Sequence, residues 1–293
     1  MLEQAGLKPQ KMFGQNFLID HNLLARLVEL AGVHAGDCVL EVGPGTGVLT
    51  EQLLAAGAEV LAVEIDRGMA QLLASRLSDQ PGMHLMNADV LAGKHAINPQ
   101  VLTNLGQLAG QSPGRAVRLV SNLPYSIATP LVCDALLSSL AAQRGDAQAM
   151  RFDSLAFTVQ REVADRFAAS QGDEQYGPVS VLIALLGRCQ MGPVVPPESF
   201  WPRPAISSRM MRIDFQAPSL QSLPEVSVLS EILTMTFSQR RKKIGSAARR
   251  SQSRFSPEVF AEALQVAGIS PDLRPEQVSP AAFAALAAEL AKS

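Results

Sequence analysis

The sequence predicts an α/β fold: a doubly wound sheet followed by a small all-helical C-terminal domain. Three observations carry this. Between residues 37 and 215, short apolar runs alternate with stretches of helical periodicity. A glycine-rich turn at 43–47 joins the first of these runs to the helix behind it. Beyond the Pro/Ser stretch APSLQSLP, 217–224, only helical patterns follow. The expected domains are therefore 1–216 and 217–293.

HNLLARLVELAGV (21–33) sets Leu23, Leu24, Leu27, Val28 and Leu30 at helical spacing behind an N-cap, Asp20. DCVLEVG (37–43) is an apolar run ending in glycine, the pattern of a buried parallel strand. A helix at 48–57 closes on Gly57. AEVLAVEID (58–66), MHLMNADV (83–90) and AVRLVSNLPY (116–125) read as further strands, with a helix at 67–79 between the first two. Residues 91–115, rich in Gly, Pro, Asn and Gln, are expected to form a long loop or insertion. A helix at 128–141, a strand at 154–160 and a helix at 161–170 follow. VSVLIALLG (179–187) is apolar throughout and fits helix or strand, whereas RMMRIDF (209–215) reads as the last strand. Helices are then expected at about 226–237, 240–250, 257–267 and 280–291.

Composition narrows the function classes. No run of about 18 apolar residues predicts a membrane-spanning helix. The first residues hold no apolar core of a secretory signal, so a cytoplasmic protein is expected. Cys38, Cys133 and Cys189 lie far apart with no C-x-x-C spacing, which argues against a disulfide framework or a zinc site. His21, His34, His84 and His95 are scattered, so neither a metal centre nor a catalytic triad is expected. The net charge of −2 hides an uneven distribution. Between Glu231 and Glu258 stand seven basic residues and no acid; the other 18 basic residues face 27 acids. A block of one sign points to phosphate contact more than to an ordinary solvated helix face. The candidate RNA-binding residues are Arg240, Arg241, Lys242, Lys243, Arg249 and Arg250, with Lys8 and Lys11 as a small basic N-terminal arm.

Four strand-end motifs carry the chemistry. Glu41-Val42-Gly43-Pro44-Gly45-Thr46-Gly47 lets the backbone turn tightly against a helix N-terminus that can receive a carboxylate. It is not the dinucleotide fingerprint, because Val48 stands where the third glycine is needed, and a nicotinamide oxidoreductase is disfavoured. Glu64, followed by Ile65, lies about 20 residues beyond that loop, where an acid binds ribose hydroxyls. Asp89, followed by Val90, can accept from an adenine amino group. Together they fit an adenosine-bearing ligand across the carboxyl edge of the sheet. Asn122-Leu123-Pro124-Tyr125 is the most specific element. An adenine amine is a poor nucleophile because its lone pair is delocalised. The Asn122 oxygen and a backbone carbonyl beside Pro124 can hold its two N–H groups and aim the lone pair. Tyr125 offers a face for a flipped base. The methyl source that fits is S-adenosylmethionine. The proline-rich loop PPESFWPRP (196–204) reads either as a wall near the target base or as a structural crossover.

These motifs resemble the ribosomal RNA adenine dimethylase family, most of all its small-subunit (16S) dimethyladenosine transferases, the enzymes behind kasugamycin sensitivity. The matching segments include KMFGQNFL (11–18), EVGPGTGVLT (41–50), NLPYSIATP (122–130), TVQREVADR (158–166), FSQRRKKI (237–244) and RPEQVS (274–279). The resemblance spans nearly the whole chain. It implies a Rossmann-like S-adenosylmethionine-dependent methyltransferase sheet with a helical RNA-binding domain. It implies N6,N6-dimethylation of two adjacent adenosines in the 3′-terminal hairpin loop of small-subunit rRNA, within a 30S precursor. A monomer with no membrane or metal partner is expected. Carried over by motif, the cofactor site is Asn16, Leu18, Gly43, Gly45, Glu64, Ile65, Asp89, Val90 and Asn122. Asn122, Leu123, Pro124 and Tyr125 would hold the target base. Ser207 stands where the family often has Asp. Two alternatives remain: a large-subunit rRNA dimethylase, and a non-catalytic RNA-binding assembly or transcription factor on the same scaffold.

Overall fold

A computed structural model describes residues 16–93, 96–111, 114–216, 225–251 and 253–293. The Lys8 and Lys11 arm and the linker 217–224 lie outside these residues.

The chain opens with a two-residue strand β1 (Phe17–Leu18) and helix α1 (His21–Ala31). Asp20 caps α1 as its spacing predicts, accepting from the N–H groups of Asn22 at 2.9 Å and Leu23 at 3.2 Å. Its buried face is Leu24, Leu27 and Ala31, each leucine contributing about 1.5–3 kcal/mol of apolar burial. Then come β2 (Cys38–Val42), α2 (Val48–Ala55), β3 (Glu59–Glu64), α3 (Arg67–Leu77) and β4 (Met83–Asn87). Asp66 caps α3 through Gly68 N at 2.8 Å.

The segment expected as a loop at 91–115 contains helix α4 (Pro99–Gly110). Asn98 accepts from Gln100 N at 3.0 Å, and Pro99 occupies the first turn, where its missing N–H costs nothing. Val101, Leu105 and Leu108 form a narrow buried stripe four and three residues apart. Next are β5 (Val117–Asn122), α5 (Ala128–Gln143), β6 (Ser154–Gln160) and α6 (Arg161–Phe167).

The ambiguous apolar run is helix α7 (Pro178–Leu186), again opened by a proline. It leads into β7 (Gly187–Val195), a strand absent from the expectation. β7 contains Gly192 and Pro193 and lies at the edge of the sheet, where a missing N–H is tolerated. β8 (Phe200–Trp201) pairs antiparallel with β1, and β9 (Ser208–Phe215) completes the large sheet.

That sheet has seven strands in the order β4-β3-β2-β5-β6-β9-β7. β2 pairs parallel with both β3 and β5, and β6 pairs antiparallel with β9. The chain winds outward from β2 to β4, returns to β5 beside β2, and winds the other way. This reversal opens a crevice at the carboxyl ends of β2 and β5, the place where such sheets bind ligands.

Four helices follow: α8 (Val226–Phe237), α9 (Ala247–Arg250), α10 (Pro257–Val266) and α11 (Pro280–Leu290). The helix expected at 240–250 is instead a turn, a 3-10 segment at Ile244–Ser246 and the single turn of α9. Four adjacent cations repel one another on a helix. Gly245 also sits against Pro271, whose Cβ would be 2.6 Å from a Cβ at that position.

The chain divides into two compact units. The first runs up to Ala164 and includes Cys189–Phe215; the second is Asp165–Arg188 with Gln216–Ser293. Asp165–Arg188 thus groups with the C-terminal helices, whereas a single boundary at 216/217 would leave it with the sheet. Tyr176 shows the cause. Its hydroxyl donates to the Val278 carbonyl at 3.1 Å, and its ring meets Phe237 edge-on at 6.0 Å.

Candidate active site

A cavity of about 130 Å³ lies at the β2/β5 crevice of the first unit. Its wall includes Asn16, Gly43, Gly45, Glu64, Ile65, Asp89, Val90, Asn122, Leu123, Pro124 and Tyr125. Of the residues the motifs single out for cofactor and target base, only Leu18 is not on this wall. Leu18 is buried, pairs with Phe200, and lines a smaller neighbouring cavity with Glu41, Thr46 and Asn122.

The glycine loop is shaped by close packing. Gly45 has φ 56°, and a Cβ there would lie 2.6 Å from Cε1 of Phe17. Only glycine fits both the left-handed backbone and the aromatic ring above it. Gly45 N also donates to Glu64 Oε2 at 3.3 Å, and Asp66 N donates to Glu64 Oε1 at 2.9 Å. Burial pushes the Glu64 carboxyl up, and these backbone donors oppose the shift. The Ile65 N–H acts on the same carboxyl, which with about four lone-pair sites still has room for a further donor. Beside it, Ile65 is 44% exposed on the cavity wall, an apolar face ready to be covered. Asp89 accepts from Leu91 N at 2.9 Å through one oxygen, and its carbonyl is held by Asn98 Nδ2 at 3.0 Å.

At the end of β5, Asn122 Nδ2 donates to the Asn16 carbonyl at 2.9 Å. That bond fixes the amide orientation, since the reverse would set two oxygens together. The other end, Asn122 Oδ1, is buried and has no hydrogen-bond partner among the described residues. A buried acceptor left open costs about 1–3 kcal/mol, so it marks a place where a ligand donor belongs. Tyr125 is held rigid, its hydroxyl 2.8 Å from Ser208 Oγ at the start of β9.

Glu41 stands behind the loop, fully buried, and burial pushes its carboxyl up to about 8. The Thr50 hydroxyl donates to it at 2.7 Å and opposes the shift, while the Glu64 charge adds to it. In the unfolded chain the same carboxyl ionises near 4.5. Between those values the folded protein binds a proton that the unfolded chain has lost, so this contribution to stability falls as pH rises from about 4.5 to about 8. Glu41→Gln should remove that slope. Its melting temperature should exceed that of the native chain by a margin that widens towards pH 8, read by scanning calorimetry. A constant margin across the range would contradict this.

The basic residues belong to the second unit and fall into two groups. Arg240 Nε lies 3.7 Å from Glu276 Oε2, and the Arg240 guanidinium also donates to the Asp173 carbonyl at 3.1 Å. Lys243 Nζ is 2.8 Å from Asp272 Oδ1. Arg241, Lys242, Arg249 and Arg250 are exposed, and among the described residues no ion pair engages them.

Sequence reasoning missed Phe17, Val63, Ala88, Ser126 and Ile127 on the cavity wall. Ser126 and Ile127 continue the Asn122–Tyr125 turn, so extending that motif would have found them. Phe17 lies between Asn16 and Leu18 in the matching segment 11–18, so extending that motif would have found it, whereas its place over Gly45 comes from the pairing of β1 with β8. No cluster of three or more potential metal ligands occurs among the described residues, nor does any helix long and apolar enough to cross a membrane.

Comparison with known proteins identifies the family. The family described as ribosomal RNA adenine dimethylase matches residues 6–292. "Ribosomal RNA small subunit methyltransferase A" of Magnetococcus marinus is 36% identical over 287 residues, covering 98% of this chain and 94% of that protein. The protein of the same name from Alkaliphilus oremlandii is 31% identical over 293 residues, covering 100% and 95%. Among solved structures, a dimethyladenosine transferase from Plasmodium falciparum shares the fold with a TM-score of 0.68 at 20% identity, covering 94% of this chain and 98% of that one. The 23S rRNA methyltransferase ErmE does so with 0.59 at 23% identity, covering 94% and 99%. The glycine loop, the strand-end acids and the Asn-Leu-Pro-Tyr turn therefore meet in one cavity of a chain that belongs to the ribosomal RNA adenine dimethylase family.

Proposed function

We propose that the protein transfers methyl groups from S-adenosylmethionine to the N6 atoms of two adjacent adenosines in the 3′-terminal hairpin loop of small-subunit rRNA. The product is N6,N6-dimethyladenosine at both positions. The substrate is a 30S precursor, and the enzyme acts as a cytoplasmic monomer. The observation that carries the chemistry is the buried, unpartnered Asn122 Oδ1 on the cavity wall. The choice of the small subunit is supported by the names of the relatives that align across nearly the full chain. The likeness to ErmE is one of fold, and no site observation favours the large subunit.

The residues present fit the cofactor. Glu64 would accept from the ribose hydroxyls with its remaining lone pairs, and Ile65 and Val90 would cover the adenine ring. Asp89 would accept from the adenine amine, and Asn16, Gly43 and Gly45 would line the amino-acid end. When bound, S-adenosylmethionine supplies an electrophilic methyl group on a positively charged sulfur.

The protein's own work is orientation. Asn122 Oδ1 accepts one N6–H of the target base. The Leu123 carbonyl, beside Pro124, would be the second acceptor, since the Pro124 carbonyl is already partly engaged, accepting from Ile127 N at 3.1 Å. Two acceptors on one amine favour a pyramidal nitrogen with its lone pair free. Tyr125, tied to Ser208, supplies the face on which the flipped base rests. No strong general base is needed, because the proton is lost from a nitrogen that has become cationic.

Nucleoside mass spectrometry of rRNA from cells lacking this protein tests the proposal. Loss of N6,N6-dimethyladenosine from small-subunit rRNA alone is the expected result. An unchanged level there, or loss from the large subunit, would overturn it.

A further inference from the structure

Trp201 is the single tryptophan of the chain, and it is 41% exposed. The β1–β8 ladder explains its direction. Phe17 pairs with Trp201 and Leu18 with Phe200. Side chains alternate along a strand, so Leu18 and Phe200 turn into the core while Phe17 and Trp201 share the opposite face. Their rings stack with centroids 6.5 Å apart and planes 20° from parallel. Ile19, two residues beyond Phe17, is 53% exposed. Phe17 also lines the cavity and covers Gly45, whereas Trp201 does not line it. One aromatic pair therefore runs from the cavity wall to the surface outside it.

We propose that this pair is a stacking ledge for the nucleobase next to the one held in the cavity, with Trp201 as its outer platform. The inference rests on the reading of the substrate as RNA with two adjacent adenosines. A base turned into the cavity leaves its neighbour without a stacking partner on that side. An exposed indole recovers that stacking for any base, since every base has a π-face. The ring is already fixed by Phe17 and by the ladder, so little freedom is lost on binding. Arg203, two residues on, pairs with Glu198 at the surface and with no other acid among the described residues. Such exposed pairs are weak, which leaves Arg203 available to the backbone phosphate of the stacked nucleotide. Trp201 is thus a positioning residue for the substrate, outside the reacting atoms.

The lone tryptophan makes the test direct. An RNA hairpin carrying two adjacent adenosines in its loop is titrated into the native protein, and binding is followed separately by anisotropy of a dye on the RNA. Tryptophan emission should be quenched in step with binding by the hairpin, and much less by a fully paired duplex. In steady-state methylation of undermethylated small subunits, Trp201→Ala should raise the KM for the subunit about tenfold. kcat and cofactor affinity should stay near native values, and Trp201→Phe should recover most of the loss. Unchanged emission at saturating hairpin, or a KM for Trp201→Ala within twofold of native, would overturn the inference. Failure of the native protein to methylate the subunits would instead overturn the functional reading, and the two failures are read from different measurements.

Discussion

Asn122→Ala is expected to lower methyl transfer by about 100-fold or more while leaving cofactor binding nearly intact. Asn122 is bound at one end only. Its Nδ2 is engaged by the Asn16 carbonyl, which turns the buried, unpartnered Oδ1 into a fixed acceptor. A fixed acceptor acts on a reacting amine without reorganising at the moment of reaction, which makes it worth far more than a mobile one. Alanine removes the acceptor and also the tie to Asn16. The cofactor keeps Glu64, Ile65, Asp89 and the glycine loop, all supplied by other strand ends. Single-turnover transfer of labelled methyl groups to undermethylated small subunits measures the first effect, and calorimetric titration of cofactor measures the second. Turnover within about tenfold of native would remove Asn122 from the role assigned to it.

Neutralising Arg241, Lys242, Arg249 and Arg250 together should have the second large effect. These four are exposed and free of ion pairs among the described residues, so their charge is available to phosphate. Each phosphate contact contributes about 0.7–0.9 to the slope of log affinity against log salt, so the slope should become shallower by about 3. If the two lines converge near 1 M salt, affinity falls roughly a thousandfold near 0.1 M. Arg240 and Lys243 provide the internal comparison. Their carboxylate partners, Glu276 and Asp272, already take up their charge, so neutralising that pair should change the slope much less. Filter binding of small-subunit rRNA fragments across a salt series reads both. Equal slope changes per residue in the two sets would show that the ion pairs open on RNA binding, and an unchanged slope would place the phosphate contacts elsewhere.

The elements legible in the sequence are those whose signals are local. Helix α1 has its Asp20 cap and apolar face within one stretch, and α8 and β6 occupy the ranges that their periodicity predicts. Helix α4 was hidden because its buried stripe is only three residues wide and lies in a Gly- and Asn-rich segment. The Asn98-Pro99 start was the signal to weigh against that composition. β7 contradicts local preference twice, at Gly192 and Pro193, and exists because β9 offers it an edge. The block around Arg240 has helical spacing but not helical energetics, since like charges and the approach of Pro271 to Gly245 break it.

The same division holds for function. Short local motifs carry the chemistry on offer: a glycine loop, an acid at each of two strand ends and the Asn-Leu-Pro-Tyr turn, each with a spacing that carries its meaning. How those groups are presented depends on long-range packing. It set Asn122 against Asn16, 106 residues away, and so left one amide end engaged and the other open. It laid Phe17 over Gly45 and stacked Trp201 on Phe17. It separated the cations engaged by Glu276 and Asp272 from those left free. The physical reason is that a hydrogen-bond vacancy, an exposed ring face or an unpaired charge depends on what the rest of the chain brings within a few ångströms, and no local pattern records that.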